Sequence, residues 1–139
     1  MKTVRVMAID YGDARTGVAF SDLLGTLTGD VLTLHEKDRA RLLQTLRDLA
    51  ESRGVTQVVV GCPKNMDGTL GKRAEISREL ATELEALLPC PVILWDERRT
   101  TLDAQRILHE SGRHGRRNRE RVDAVAAALI LEGYLGSLQ

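Results

Sequence analysis

Three carboxylates in this chain stand where their neighbours give them no obvious reason to face solvent. Asp10 closes the apolar run Val6-Met7-Ala8-Ile9, and Glu97 follows Val92-Ile93-Leu94-Trp95 with only Asp96 between. Asp123 interrupts a stretch from Val122 to Leu131 that has almost no other polar residue. A carboxylate held against apolar surface must be protonated, paired or bound to a cation. Oxygen-only donors suit a hard divalent ion such as Mg²⁺ or Mn²⁺, whereas Zn²⁺ would draw on His or Cys. If the fold gathers the three acids, the chemistry is metal-assisted hydrolysis of a phosphodiester. Each acid also has an ordinary reading: a turn cap for Asp10 ahead of Gly12, a surface ion pair for Glu97, and a buried pair with an arginine for Asp123. Each of these explains one residue, and none explains all three at one rim.

Asp96 competes with Glu97 for the same role. Successive residues at a strand end point to opposite faces, so regular geometry admits only one of them to a cluster. Glu97 has the longer reach.

Cations follow a similar logic. The formal net charge of the 139 residues is +0, yet Arg113, Arg116, Arg117, Arg119 and Arg121 crowd together opposed only by Glu120. Such a cluster steers phosphate backbones even on a neutral protein. The plain alternative is a solvated surface run.

The elements that would position these groups are readable from periodicity. Residues 4–10 alternate as a strand, 11–15 have turn chemistry, and 16–21 return as a second strand. A short third strand is expected over 31–34. A helix over 37–52 carries the stripe Leu42, Leu43, Leu46, Leu49 and Ala50, and Gly54 stops it. Val58-Val59-Val60 fits a buried central strand within 55–61. A loop through Lys64 leads to a helix with its stripe on Ile76, Leu80, Leu84, Leu87 and Leu88, ended by Pro89 and Pro91. The last strand spans 92–95, a third helix is expected from Thr100 to about Glu110, and a basic connection over 112–118 precedes the apolar helix. Three strands followed by alternating helix and strand give a mixed α/β sheet with helices on its faces. In such sheets ligands sit beyond the carboxyl ends of the parallel strands, where Asp10 and Glu97 fall. Asp123 shares a helical face with Ala126, Ala127 and Ile130, and it is expected near the positive end of the helix dipole.

Composition sets limits. The length suits one domain over residues 1–139, and 42% hydrophobic content supplies a core. No apolar run is long enough for a membrane span and no signal peptide is evident, so a cytoplasmic protein is expected. Cys62 and Cys90 match neither a zinc nor a redox pattern and are expected as free thiols. At 3% aromatics the chain is a poor fit to the base-stacking single-strand binders.

The residues Asp10-Tyr11-Gly12, Arg15, Gly17-Val18-Ala19, Val60-Gly61-Cys62-Pro63, Met66-Asp67-Gly68-Thr69, Asp96-Glu97-Arg98, Thr100-Thr101 and Val122-Asp123 form, in this order, a pattern spanning nearly the whole chain. It resembles the YqgF/RuvX family, described as Holliday junction resolvases and as nucleases maturing the 5′ end of pre-16S ribosomal RNA. The resemblance implies an RNase H-like fold with a five-stranded mixed sheet of order 3-2-1-4-5. It also implies an acidic site on Asp10, Glu97 and Asp123, serving both as metal ligands and as catalytic groups. Ala14, where the family commonly has a basic residue, and Arg99, where it has Leu, depart from the pattern. Two Mg²⁺ or Mn²⁺ ions, bridged by Asp10 and flanked by Glu97 and Asp123, would carry the hydrolysis. Arg15, Lys64, Arg98, Arg116 and Arg117 would hold the nucleic-acid backbone, which positions a strand without reading it. Lys64 serves equally well as an exposed loop lysine.

The substrate is then precursor ribosomal RNA or, alternatively, branched DNA. A symmetric junction would suit a homodimer. Two other classes fit less. An actin-like phosphotransferase would use Asp10-x-Gly12 with Gly17, but needs a second lobe around ATP, and no Gly-x-x-x-x-Gly-Lys-Ser/Thr loop is present. A non-catalytic RNA-binding assembly factor would keep the fold without needing metal.

Overall fold

The computed structural model describes residues 4–63, 67–97 and 116–138, with side chains from 124 onward in the last stretch. Five strands form one sheet: β1 (Val6–Asp10), β2 (Arg15–Ser21), β3 (Thr28–His35), β4 (Gln57–Cys62) and β5 (Val92–Asp96). Their order is β3-β2-β1-β4-β5. β1 runs antiparallel to β2, which runs antiparallel to β3, whereas β4 lies parallel to both β1 and β5. The expected order 3-2-1-4-5 is the observed one.

Three described helices cover the sheet: α1 (Arg39–Ser52), α2 (Lys72–Leu87) and α3 (Arg116–Ser137). Strand alternation divides the core in two. Met7, Ile9, Val18, Phe20, Val58 and Val60 face one side, against Leu42 and Leu46 of α1 and Leu80 and Leu84 of α2. Val6, Ala8, Ala19, Val59 and Trp95 face the other, against Ala127, Ile130, Leu131 and Tyr134 of α3. Small residues let α3 lie close to the sheet. A Cβ on Gly133 would come within 3.1 Å of the Trp95 ring, and that ring meets Tyr134 edge-on with centroids 6.0 Å apart.

Local chemistry explains the helix ends. Asp38 caps α1 by accepting from the Arg41 amide at 3.2 Å. Gly54, at φ +63°, takes the left-handed conformation just past the end of that helix. Cys62 and Cys90 are both free thiols.

The structure corrects three expectations. β3 extends well before residue 31: Thr28 pairs with Ser21, and Gly29 and Asp30 continue the strand across a register shift at an exposed sheet edge, so they carry no apolar signature. α3 begins at Arg116, inside the segment read as a connection, since arginine is a good helix former and neither Gly nor Pro stands between it and Glu132. Asp123 therefore stands two turns into α3, and the helix dipole, which acts over the first turn, does not reach it. The helix expected over 100–110 lies outside the described residues.

Candidate active site

Register places the two described acids on one face at one end of the sheet. Val6 and Ala8 face α3, so Asp10, two residues on, belongs to the same side. Ile93 and Trp95 also face α3, which sets Glu97 on that side, just beyond the end of β5. Asp96 falls on the opposite side with Val92 and with its register partner Cys62, whose thiol lies 3.9 Å from the Ala74 carbonyl of α2. Between β1 and β5 runs β4, and its residue at this level is Gly61.

Gly61 is where the site gains its room. A Cβ there would lie 3.2 Å from the carboxyl carbon of Glu97 and 2.5 Å from Cδ1 of Ile130. The Glu97 side chain thus lies over Gly61 at the end of β4, and Ile130 of α3 approaches the same glycine. On its other flank Asp10 faces Gly17 of β2 across the antiparallel register, so Asp10 has a glycine beside it there as well. Gly12 shapes the turn that follows: any side chain on it would collide with the Arg15 carbonyl oxygen.

Glu97 is half-buried, and its burial pushes the carboxyl above the usual carboxylate range. The positive charge of Arg73 opposes that rise, and the neighbouring Asp96 adds to it. A carboxylate in such a place gains from a cation.

Asp123 belongs to α3 and is in helical phase with Ala127 and Ile130, both buried against the sheet. Its side chain, with those of Arg116 and Arg117, lies outside the described residues, as do Lys64 and Arg98. Among the described side chains no three His, Cys, Asp or Glu stand together as a metal cage. Arg15 opens β2 opposite His35, on the face that carries Asp10 and beyond the Gly17 row.

Sequence reasoning missed Arg73. It stands in the first turn of α2 and donates to the Tyr11 carbonyl, one residue past Asp10, at 3.4 Å. Its charge acts on Glu97 as well, so one guanidinium serves both acid-bearing strand ends. The available signal was electrostatic: Lys72 and Arg73 are adjacent cations at a helix start, where the dipole disfavours them.

A family model described as RuvX, Holliday junction resolvase, matches residues 4–137. A protein of Halothermothrix orenii named "Putative pre-16S rRNA nuclease" is 41% identical over 132 residues, covering 95% of this chain and 94% of its own length. One of the same name from Moorella thermoacetica is 42% identical over 135 residues, covering 97% and 96%. Among solved structures, T. thermophilus RuvC in complex with Holliday junction substrate matches with a TM-score of 0.65 at 12% identity, over 98% of this chain and 97% of that one. A further Thermus thermophilus RuvC structure gives 0.60 at 12% identity, over 96% of each chain. At that identity the likeness shows the fold, which is RNase H-like.

Proposed function

The chain belongs to the RuvX family of Holliday junction resolvases, and from that membership we propose a divalent-metal-dependent endonuclease that acts in the 5′ maturation of precursor 16S ribosomal RNA. The observation that carries this reading is the placement of Asp10 and Glu97 on one sheet face, at the carboxyl ends of β1 and β5, with Gly61 between them.

The donor set fits a hard cation. Both described acids offer oxygen only, and Glu97 is penalised by burial in a way that positive charge relieves. Asp10, Glu97 and Asp123 would hold Mg²⁺ or Mn²⁺, which supplies charge stabilisation at phosphoryl oxygens and an acidified water. The chain's own residues do the rest. Ile130 and the neighbouring apolar face of α3 wall the site on one side and keep water away from Glu97. Asp10 and Glu97 leave from separate strands of a rigid sheet, so their separation is fixed before substrate arrives. Arg15, Lys64, Arg98, Arg116 and Arg117 would neutralise phosphates and orient the strand, with no readout of sequence.

Both relatives carry names for precursor RNA cleavage, which favours that substrate. The family description and the junction-bound RuvC favour a second reading, branched DNA. Paired cuts in a junction would require a homodimer. The deciding experiment offers precursor RNA and a four-way DNA junction in parallel with Mn²⁺, with Asp10→Asn as the disabled control. Cleavage of the RNA alone at a defined 5′ position supports the first reading, and cleavage of the junction alone replaces it with the second. Cleavage of neither, together with calorimetry showing no divalent-ion binding, leaves an RNA-binding assembly factor.

A further inference from the structure

Beside the acidic rim, on the face that α2 covers, lies a cleft of about 170 Å³ lined by Tyr11, Asp13, Lys72, Arg73 and Ile76. It is too small for a drug-sized ligand, whose pockets usually hold roughly 300–1,000 Å³. Its lining divides by chemistry. Tyr11 and Ile76 supply an apolar surface, Lys72 and Arg73 supply two exposed cations, and Asp13 is the one acid. Among the described residues neither Lys72 nor Arg73 has an acid within 4 Å, whereas Arg39 is paired with Glu79 and Glu83 and Arg53 with Asp30.

Holding these two cations at the start of α2 is unfavourable. Both oppose the helix dipole, and Glu75 is the only acid in that turn. Meanwhile Arg73 is tethered to the Tyr11 carbonyl, so its guanidinium stays at the rim rather than ranging through solvent. An anion in the cleft would relieve the repulsion and meet a side chain already placed for it.

The geometry points to a phosphate subsite: Lys72 and Arg73 bind a backbone phosphate of the substrate strand next to the scissile position, and Tyr11 with Ile76 carries the attached sugar. The strand would cross the carboxyl ends of β1 and β4, from the acids on the α3 face to the cleft on the α2 face. The subsite rests on the nuclease reading for the identity of the strand, but its test does not require cleavage.

The test measures binding of a fluorescein-labelled oligoribonucleotide over a series of salt concentrations, with Asp10→Asn as the background to silence cutting. Adding Lys72→Ala and Arg73→Ala should weaken binding and lower the log–log salt slope by up to about 1.4, at about 0.7 per single-strand contact. Arg73→Lys should keep most of the slope. Arg73→Gln, which removes the charge but keeps a polar side chain, should lose one contact's worth of slope. Melting curves matching the background protein confirm that each variant is folded. An unchanged slope in the folded double variant overturns the subsite whether or not the wild-type protein cuts RNA. Absence of cleavage by the wild-type protein overturns only the nuclease reading.

Discussion

Glu97 occupies the space that Gly61 leaves empty, its carboxyl carbon 3.2 Å from where the glycine's Cβ would be. One acid is thus held in place by the absence of a side chain on the neighbouring strand. Gly61→Ala should therefore press on Glu97 and Ile130 together. With Ile130 only 1% exposed, the fold should lose about 1–3 kcal/mol, measured by denaturant unfolding. Ile130→Val removes the Cδ1 atom in closest conflict and should return part of that stability. Nuclease activity should stay depressed in the pair, because the added methyl still crowds Glu97. Full recovery of activity along with stability would show that the Glu97 position is not critical.

Asp10→Asn should abolish cleavage while leaving the melting curve intact. The change removes a charged ligand with almost no change in shape. Losing cation-mediated stabilisation of the transition state should lower the rate roughly a thousandfold or more. Chelation by EDTA should have the same effect on the unaltered protein, reversed by excess Mn²⁺. Near-normal turnover in the folded variant would remove Asp10 from the site.

Glu97 and Asp96 face opposite sides of the sheet, so their amide variants should part company. Glu97→Gln should eliminate activity, whereas Asp96→Asn should act on stability or positioning. A reversed pattern in a cleavage assay would move the site to the α2 face.

The burial of Glu97 also fixes a sign for stability. Its folded carboxyl is raised above the free value, mainly by burial. Its contribution to stability is therefore fully present below the unfolded pKa of about 4.3 and is lost as pH rises through the folded value. In metal-free protein, Glu97→Gln should accordingly melt higher than wild type at pH 7, with the gap closing near pH 4. Thermal melts in EDTA at the two pH values check this. A lower melting temperature for the variant at pH 7 would mean that a hydrogen-bonded, charged Glu97 supports the fold.

Replacing Arg116 and Arg117 with alanine should weaken binding to all nucleic-acid sequences about equally. The log–log salt slope should fall by up to about 0.9 per lost contact on B-form DNA, or about 0.7 on a single strand. Turnover at saturating substrate should fall less than affinity. Unchanged affinity and slope would leave the start of α3 as solvated surface.

That Asp10 and Glu97 share one sheet face was legible in the sequence because each follows an apolar strand. That only one of Glu97 and Asp96 could join a cluster followed from alternation, since a strand cannot turn two consecutive side chains to one face. The preference for Glu97 rested on its longer reach and on the family resemblance. Other features have no local signature. β3 was read short because Thr28 to Asp30 lie at an exposed edge, where Thr28 is placed by its pairing with Ser21 and not by burial. The start of α3 was hidden by its arginines, which look alike in a helix and in a loop. Arg73 is far from Tyr11 and Glu97 in sequence, and only the packing of α2 beside the β1–β2 turn brings its guanidinium to the Tyr11 carbonyl and its charge to Glu97. The role of Gly61 is likewise tertiary, because the groups that fill its space come from β5's end and α3.

The parallel pairing of β1 with β4 has a consequence for the timing of synthesis. Val6 aligns with Gln57, so the central strand waits for a partner made after the whole β2–β3–α1 segment. Such distant pairings must meet their loop-closure entropy before any contact rewards them. A nascent chain that has exposed only its first hairpins carries Asp10 with neither β4 nor β5 beside it, and the wall formed by α3 is made after both. If Asp10 and Glu97 form the acidic site proposed above, that site is assembled only after β4, β5 and α3 have all been made.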